Sequence, residues 1–299
     1  MKPSPIVLFT YNRLWHTQQT VKALQKNEHA DRSNLFIYSD GPKDENDREN
    51  VQAVRNYLQT VNGFRSVKII EQKTNKGLAD SIITGVTEIV NKYGRIIVLE
   101  DDITTSPYFL RYMNDTLNFY QDEEKVMHIS GYMFPIDYTG LRETFFYRST
   151  SCWGWATWGR AWKYFKKDVK WVYQVFSRED RRAFNLDGNQ NFWAQIEDNK
   201  LGRLNSWAIF WYASVFKKKG LSLHPAWSLV NNIGHDGSGI HCGNSKKFTV
   251  SLVDKPITYF ETSIKEDPLA LARMKSFYRR HDGNIIFRLA GSLRRKLFL

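Results

Sequence analysis

Cysteine is nearly absent from this sequence: Cys152 and Cys242 are the only two among 299 residues. One pair cannot build a disulfide framework, which excludes the small cross-linked secreted scaffolds and makes free thiols in a reducing cytosol the expectation. Long apolar runs are missing as well. The opening Met-Lys-Pro-Ser-Pro passes straight into Ile6-Val-Leu-Phe9, a run too short for a signal segment or a membrane span, so no translocation is expected. No G-x-G-x-x-G follows that first apolar run and no G-x-x-x-x-G-K-[ST] occurs, which removes the glycine-built dinucleotide and phosphate loops. Zinc-finger spacing and RNA-binding signatures are lacking too, so nucleic acid is not an expected partner.

Acidic residues are in deficit, 31 against 43 Lys and Arg, for a net charge of +12. The excess is uneven: from Leu271 to Leu299 eight basic residues face one acid, Asp282. Ile286, Leu289, Ala290, Leu293 and Leu297 recur there at helical spacing. The tail therefore reads as a basic amphipathic helix suited to an anionic membrane surface, with an ordinary terminal helix docked on the body as the alternative. Aromatic residues are abundant, 15%, beside 25% charged residues, which marks a globular chain able to bury a full core. Its length suits one large α/β domain, with or without a smaller appendage.

The first third alternates short β-rich apolar runs with helical stripes. Ile6 to Thr10 precedes a stripe of Leu14, Thr17, Val21 and Leu24; Leu35 to Ser39 precedes Val51, Val54, Leu58 and Val61; Val67 to Glu71 precedes Leu78, Ile82, Val86 and Ile89. Four strands with three intervening helices predict a parallel sheet with right-handed crossovers, which binds ligands at the carboxyl ends of its strands. The polar residues lie at those ends: Thr10, Tyr11, Asn12 and Arg13, then Asp40, then Asn75 and Lys76. Arg13 and Lys76 bring positive charge for phosphate, and Asp40 can accept hydrogen bonds from a base or ribose. Singly, Asp40-Gly41 is a turn pair and Asn75 a helix cap; together they point to one nucleotide site.

The fourth strand, Arg95-Ile-Ile-Val-Leu99, stops at three consecutive carboxylates, Glu100, Asp101 and Asp102. Such a tip repels itself unless a cation or solvent takes up the charge, and carboxylate oxygens suit Mg²⁺ or Mn²⁺ completed by substrate phosphates. A solvated acidic turn, with Asp102 or Ser106 capping the next helix, is the alternative.

The opening Val-Leu-Phe-Thr-Tyr-Asn-Arg13, the Ser39-Asp40-Gly41 turn, the Asn75-Lys76-Gly77 helix start and Val98-Leu-Glu-Asp-Asp-Ile-Thr-Thr-Ser-Pro-Tyr-Phe109 together resemble a GT-A-type glycosyltransferase. The acidic triplet is most similar to that of the N-acetylglucosaminyltransferase family that starts branching of N-glycans, and of its bacterial sugar-transferase relatives. The likeness is strong over residues 5 to 135 and weaker to about residue 245. It implies a GT-A-like, Rossmann-like, mostly parallel sheet flanked by helices, divided into a nucleotide-sugar-binding half (1–135), an acceptor-side half with an aromatic cluster and a glycine-rich lid loop (136–250), and a basic C-terminal segment (251–299). It implies a nucleotide-sugar, UDP-linked by preference, lying across the strand ends. Asp40 would then meet the base, Glu100 and Asp101 the sugar and ribose, and Asp102 a Mn²⁺ or Mg²⁺ ion that bridges the diphosphate. The implied activity is sugar transfer, with inversion favoured, to a glycan or lipid-linked acceptor in surface polysaccharide or lipopolysaccharide assembly. The expected setting is cytoplasmic, peripheral to the membrane if the tail binds it. Rival readings are an inactive relative, a carbohydrate-binding protein and a nucleotidyltransferase, though Thr10-Tyr-Asn-Arg13 lacks the glycine-rich first loop of the last.

Five of the ten tryptophans fall between Trp153 and Trp171. Pyranose faces pack on aromatic rings, which makes Trp153 and Trp155 candidates for an acceptor platform. Trp155, Trp158 and Trp162 at spacings of three and four also predict a helix stripe, with Trp158 and Trp162 in the core. Further on, Gly234, Gly237, Gly239 and Gly243 surround His235, Asp236 and His241. The expectation is a mobile lid in which His235 or His241 reaches the metal or diphosphate, the alternative being a surface loop with idle histidines. The resembled family places its catalytic base just before the helix at Trp207. This chain has Asn205 and Ser206 there, leaving Asp198, then Asp236 or Glu197, as substitutes.

Overall fold

The computed structural model describes residues 3–237 and 247–282. His241, Cys242 and the amphipathic stretch from Ile286 to Leu297 lie outside the described residues. The expected alternation opens the chain: β1 (Ile6–Thr10), α1 (Leu14–Gln25), β2 (Asn34–Ser39), α2 (Glu45–Leu58), β3 (Ser66–Glu71), α3 (Leu78–Tyr93) and β4 (Arg95–Glu100). There follow β5 (Ile103–Thr105), α4 (Phe109–Phe119), β6 (Val126–Ser130), β7 (Thr144–Tyr147) and β8 (Trp155–Trp158). Helices α5 (Gly159–Trp162), α6 (Val169–Val175), α7 (Arg178–Phe184), α8 (Trp193–Lys200) and α9 (Ala208–Lys217) lead to β9 (Leu221–Pro225), β10 (Val230–Asn232) and α10 (Pro268–Asp282).

Eight strands form one sheet in the order β3-β2-β1-β4-β8-β6-β9-β7. The first four pair in parallel and so do β6 and β9. In contrast, β8 runs antiparallel to both β4 and β6, and β7 antiparallel to β9. This is the α/β architecture expected, a mostly parallel sheet flanked by helices. The single sheet draws on both the 1–135 and 136–250 stretches.

Apart from the edge strand β3, none of whose residues is buried, the sheet is buried on both faces, as continuous apolar runs in its strands allow. Ile6 and Leu8 of β1 with Ile97 and Leu99 of β4 pack against Val21 and Leu24 of α1 and Leu110 and Leu117 of α4. Val7, Phe9, Ile96 and Val98 face the other way, onto Ile82 and Val86 of α3 and Trp211 and Val215 of α9. Helix α10 docks Ala270, Met274 and Phe277 against Met133 and Phe145. Among the described residues no helix is long and apolar enough to cross a membrane.

One local expectation is corrected. Trp155 and Trp158 lie in a strand, β8, rather than on a helix stripe. A four-residue strand wedged between β4 and β6 and covered on both sides is buried at every position, so its two tryptophans enter opposite faces. Trp155 therefore joins one core layer, and Ala156 and Trp158 the other. Trp162, in the short α5, is core as read.

Candidate active site

The carboxyl ends of β1, β2, β3 and β4 meet at one edge, as the parallel pairing requires. At the tip of β4 the triplet turns inward: Asp101 is 4% and Asp102 6% exposed, which excludes a solvated acidic turn. The partner that holds them is Arg13, from the loop between β1 and α1. Its Nη2 donates to Asp101 Oδ1 and, at 2.8 Å, to Asp102 Oδ2. Helix α1 adds Thr20, whose hydroxyl donates to the Asp101 carbonyl at 2.7 Å.

Three carboxylates against one guanidinium leave an excess of negative charge. Burial, then repulsion from Asp102 and Asp101, pushes Glu100 up to about 8 despite Arg13. Burial likewise pushes Asp101 up to about 6 against the pull of Arg13. Strand β8 supplies the flank of this tip. Its ladder with β4 ends at Val98 and Trp155, and Cys152, three residues upstream, lies close enough to Glu100 to feel its charge. The Cys152 thiol, which is free, is pushed up by burial and then by the charge of Glu100.

A second wall comes from the chain after β10. This strand pairs antiparallel with β5, and the Ile233 N–H donates to the Asp102 carbonyl at 2.9 Å. Gly234 then lies directly on the ion pair: a Cβ at this position would fall 2.2 Å from Asp102 Oδ2 and 3.0 Å from Arg13 Nη1. His235 packs edge-on to Trp153 with ring centroids 5.2 Å apart, and both its ring nitrogens are buried with no hydrogen-bond partner among the described residues. Asp236 Oδ2 lies 3.0 Å from Nε2 of His16, a buried residue of α1.

These contacts sort the sequence candidates. Arg13, Glu100, Asp101, Asp102, Trp153, Gly234, His235 and Asp236 are brought together. Asp198 is not part of this network: it sits in α8 on the helical cluster of Trp193 and Ile196, and its carboxylate accepts from Arg203 at 2.9 Å. Trp155 has no exposed surface and stacks on Trp207 and His128, so a sugar cannot reach it.

The nucleotide-side candidates are occupied by the chain itself. Asp40 Oδ1 accepts the N–H of Gly41 and of Lys76, and Oδ2 that of Gly77, all at 2.9 Å. A carboxylate has about four acceptor positions, so roughly one is left for a ligand. What Asp40 does here is tie the 75–77 loop to the end of β2. Asn75 completes the tie by donating to the Gly41 carbonyl at 2.8 Å, and the Lys76 side chain is exposed. Tyr11 and Asn12 both bond Asp47, in the first turn of α2, at 2.5 and 2.8 Å. The hydroxyl of buried Thr10 reaches the Tyr38 carbonyl at 3.5 Å.

Sequence reasoning missed Arg55, which donates to the carbonyls of Gln72 at 2.7 Å and Asp40 at 3.3 Å and so fastens two strand ends. It also missed His16, whose signal was its place one turn after Arg13 on α1. The donor set fits a hard divalent cation: carboxylate oxygens carrying excess negative charge at the strand ends. Among the described residues no three His, Cys, Asp or Glu side chains are placed to hold a metal ion by themselves. A cation held at Asp102 would therefore need oxygens of its ligand to complete its coordination, the usual habit of Mg²⁺ and its analogues.

No family model and no curated protein matches this sequence. Solved structures similar to it include the mannosyltransferase PcManGT from Pyrobaculum calidifontis in complex with GDP-Man and Mn²⁺. That likeness has 10% identity and a TM-score of 0.43, over 73% of this chain and 70% of that one. TarS of S. aureus is similar at 15% identity and a TM-score of 0.31, over 42% of this chain and only 21% of TarS. Likenesses this distant carry no argument about activity.

Proposed function

We propose that this chain is a metal-dependent glycosyltransferase that moves a sugar from a nucleotide diphosphate, UDP by preference, to a glycan or lipid-linked acceptor. Surface polysaccharide or lipopolysaccharide assembly is the setting we propose for it. The observation that carries the reading is the over-charged, buried end of β4 facing Arg13 at the carboxyl edge of four parallel strands. The sequence resemblance supplies the reaction class. A Mg²⁺ or Mn²⁺ ion, when bound, neutralises the charge that develops on the departing diphosphate.

The chain's own part is positional and electrostatic. Asp102 would hold the ion, and Glu100 and Asp101 line the sugar side of the tip. Asp40 and Arg55 keep the two loops beside the nucleotide at fixed separation. Trp153 presents a ring to the acceptor, and the 233–237 segment shields the leaving group from water. Asp236 is the base we assign to the acceptor hydroxyl, with His16 orienting its carboxylate; this gives the direct displacement of an inverting enzyme. The test is calorimetric titration of UDP with and without Mn²⁺, beside turnover of UDP-sugars. Mn²⁺ should tighten UDP, and Asp102→Ala should abolish that gain. UDP binding indifferent to both would overturn the proposal.

A further inference from the structure

Arg13 stands where a cation held by Asp102 would stand. Its guanidinium bridges the two aspartates, and Gly234 closes the far side with no room for a methyl group. A guanidinium and a divalent ion cannot both be in contact with Asp102 Oδ2 without strong mutual repulsion in a poorly solvated site. One residue beyond Gly234, the buried and unpartnered nitrogens of His235 are polar groups for which the described chain offers nothing. Such groups are rare in folded proteins and call for a partner such as a water, an ion or a bound ligand, or for a functional role.

We infer that Arg13 is a built-in counter-cation: it occupies Asp102 in the ligand-free chain and passes to the diphosphate when donor and metal bind, so that neither ligand binds well alone. This deepens the donor-site reading above and rests on it. Arg13 and the metal exchange partners. Arg13 is largely enclosed, with 20% of its side chain exposed. Displacing it with a metal ion alone would leave a guanidinium unpaired in a partly dry site, which is costly. A diphosphate arriving alone would draw Arg13 away and leave adjacent buried carboxylates with no counter-charge. With both present every charge is matched: Asp102 on the metal, and the planar fork of Arg13 on two phosphate oxygens, a geometry guanidinium suits.

The consequence is an energetic coupling between two ligands at one site. The test measures it directly, with the full-length chain and without turnover. MnCl₂ is titrated into the wild type and into Arg13→Gln, following the free-ion electron paramagnetic resonance signal, with and without UDP. The wild type should take up Mn²⁺ weakly unless UDP is present. Arg13→Gln should bind Mn²⁺ alone more tightly, on the order of tenfold, a common size for such coupling, and should lose most of the help that UDP gives. Should that variant fail to fold, Arg13→Lys is the second arm. A lysine nitrogen ends one bond short of Nη2, the single nitrogen that contacts both aspartates, so Mn²⁺ alone should raise its melting temperature, whereas the wild type should respond only to Mn²⁺ with UDP. A cation site that binds Mn²⁺ equally in wild type and variants overturns this inference alone. No cation uptake in any protein, even with UDP, overturns the donor-site reading and this inference with it.

Discussion

The contact between Gly234 and Asp102 is the sharpest place to perturb the site. In Gly234→Ala the backbone itself is no obstacle, because Gly234 is not among the residues with positive φ. The obstacle is steric. The added methyl would lie 2.2 Å from Asp102 Oδ2 and 2.9 Å from Asp102 Cγ, where ordinary contact begins at 3.4 Å. Asp102 or the 233–235 backbone must therefore yield by roughly 1 Å, and a misplacement of that size in a reacting site costs about 10²-fold. The cost in stability is smaller, about 1–3 kcal/mol for overpacking of this kind. Asp102 cannot simply turn aside, since it is buried and pinned by Arg13 at 2.8 Å.

The assay is turnover of a UDP-sugar together with Mn²⁺-dependent UDP affinity and a thermal melt. Gly237→Ala serves as the control. That residue has φ +90° and, among the described residues, nothing within 4 Å of its would-be Cβ, so alanine there strains the backbone by about 1–2 kcal/mol without touching Asp102. Gly234→Ala should lose Mn²⁺-dependent affinity and turnover, and Gly237→Ala should keep both at a slightly lower melting temperature. Wild-type affinity and turnover in Gly234→Ala would refute the claim that this segment seals the acidic tip. Equal losses in both variants would assign the effect to the loop's backbone instead.

Asp236→Asn should lower turnover about 10²-fold with donor affinity retained, as removal of a general base does, whereas Asp198→Asn should be near normal; the reverse ranking in steady-state kinetics would return the base to α8. Trp155→Ala should destabilise the fold by about 3–5 kcal/mol, the cost of emptying a core aromatic site, read by chemical denaturation. Trp153→Ala should instead remain folded and weaken acceptor binding. Stability should also fall with acid. His128 and His224 are fully buried and held down to about 3 and about 4, by burial first and, for His128, by the neighbouring His224. The unfolded chain therefore takes up their protons first, near the ordinary histidine value of about 6.5. Their contribution is complete above that pH and drains away below it, about 2 kcal/mol each by pH 5. His128→Gln with a shallower acid slope in a pH series of melts would bear this out; an unchanged slope would not.

The parts of the fold that could be read from the sequence are those where one physical signal dominates. Strands β1, β2 and β4 are apolar runs long enough to be buried on both faces, β3 is a half-exposed edge strand, and α1 to α3 carry apolar stripes facing them. The alternation and the converging strand ends follow from local pattern alone. Trp155 and Trp158 could not be read that way, because three-residue spacing looks the same on a helix face as in a short strand covered on both sides. Only the place left vacant between β4 and β6 decides it. The site divides along the same line. That the triplet is buried and needs a counter-charge follows from three adjacent carboxylates closing an apolar strand. Which oxygens remain for a ligand does not, since it depends on what distant loops bring back. Asp40 reads as a ligand-facing acid until the 75–77 loop returns with its N–H groups. Asp198 reads as a base until Arg203 takes its carboxylate. Arg13 shows the same limit from the other side. Its charge was legible as phosphate-binding, yet in the folded chain that charge is spent on Asp101 and Asp102, and a phosphate reaches it only by giving those aspartates another cation.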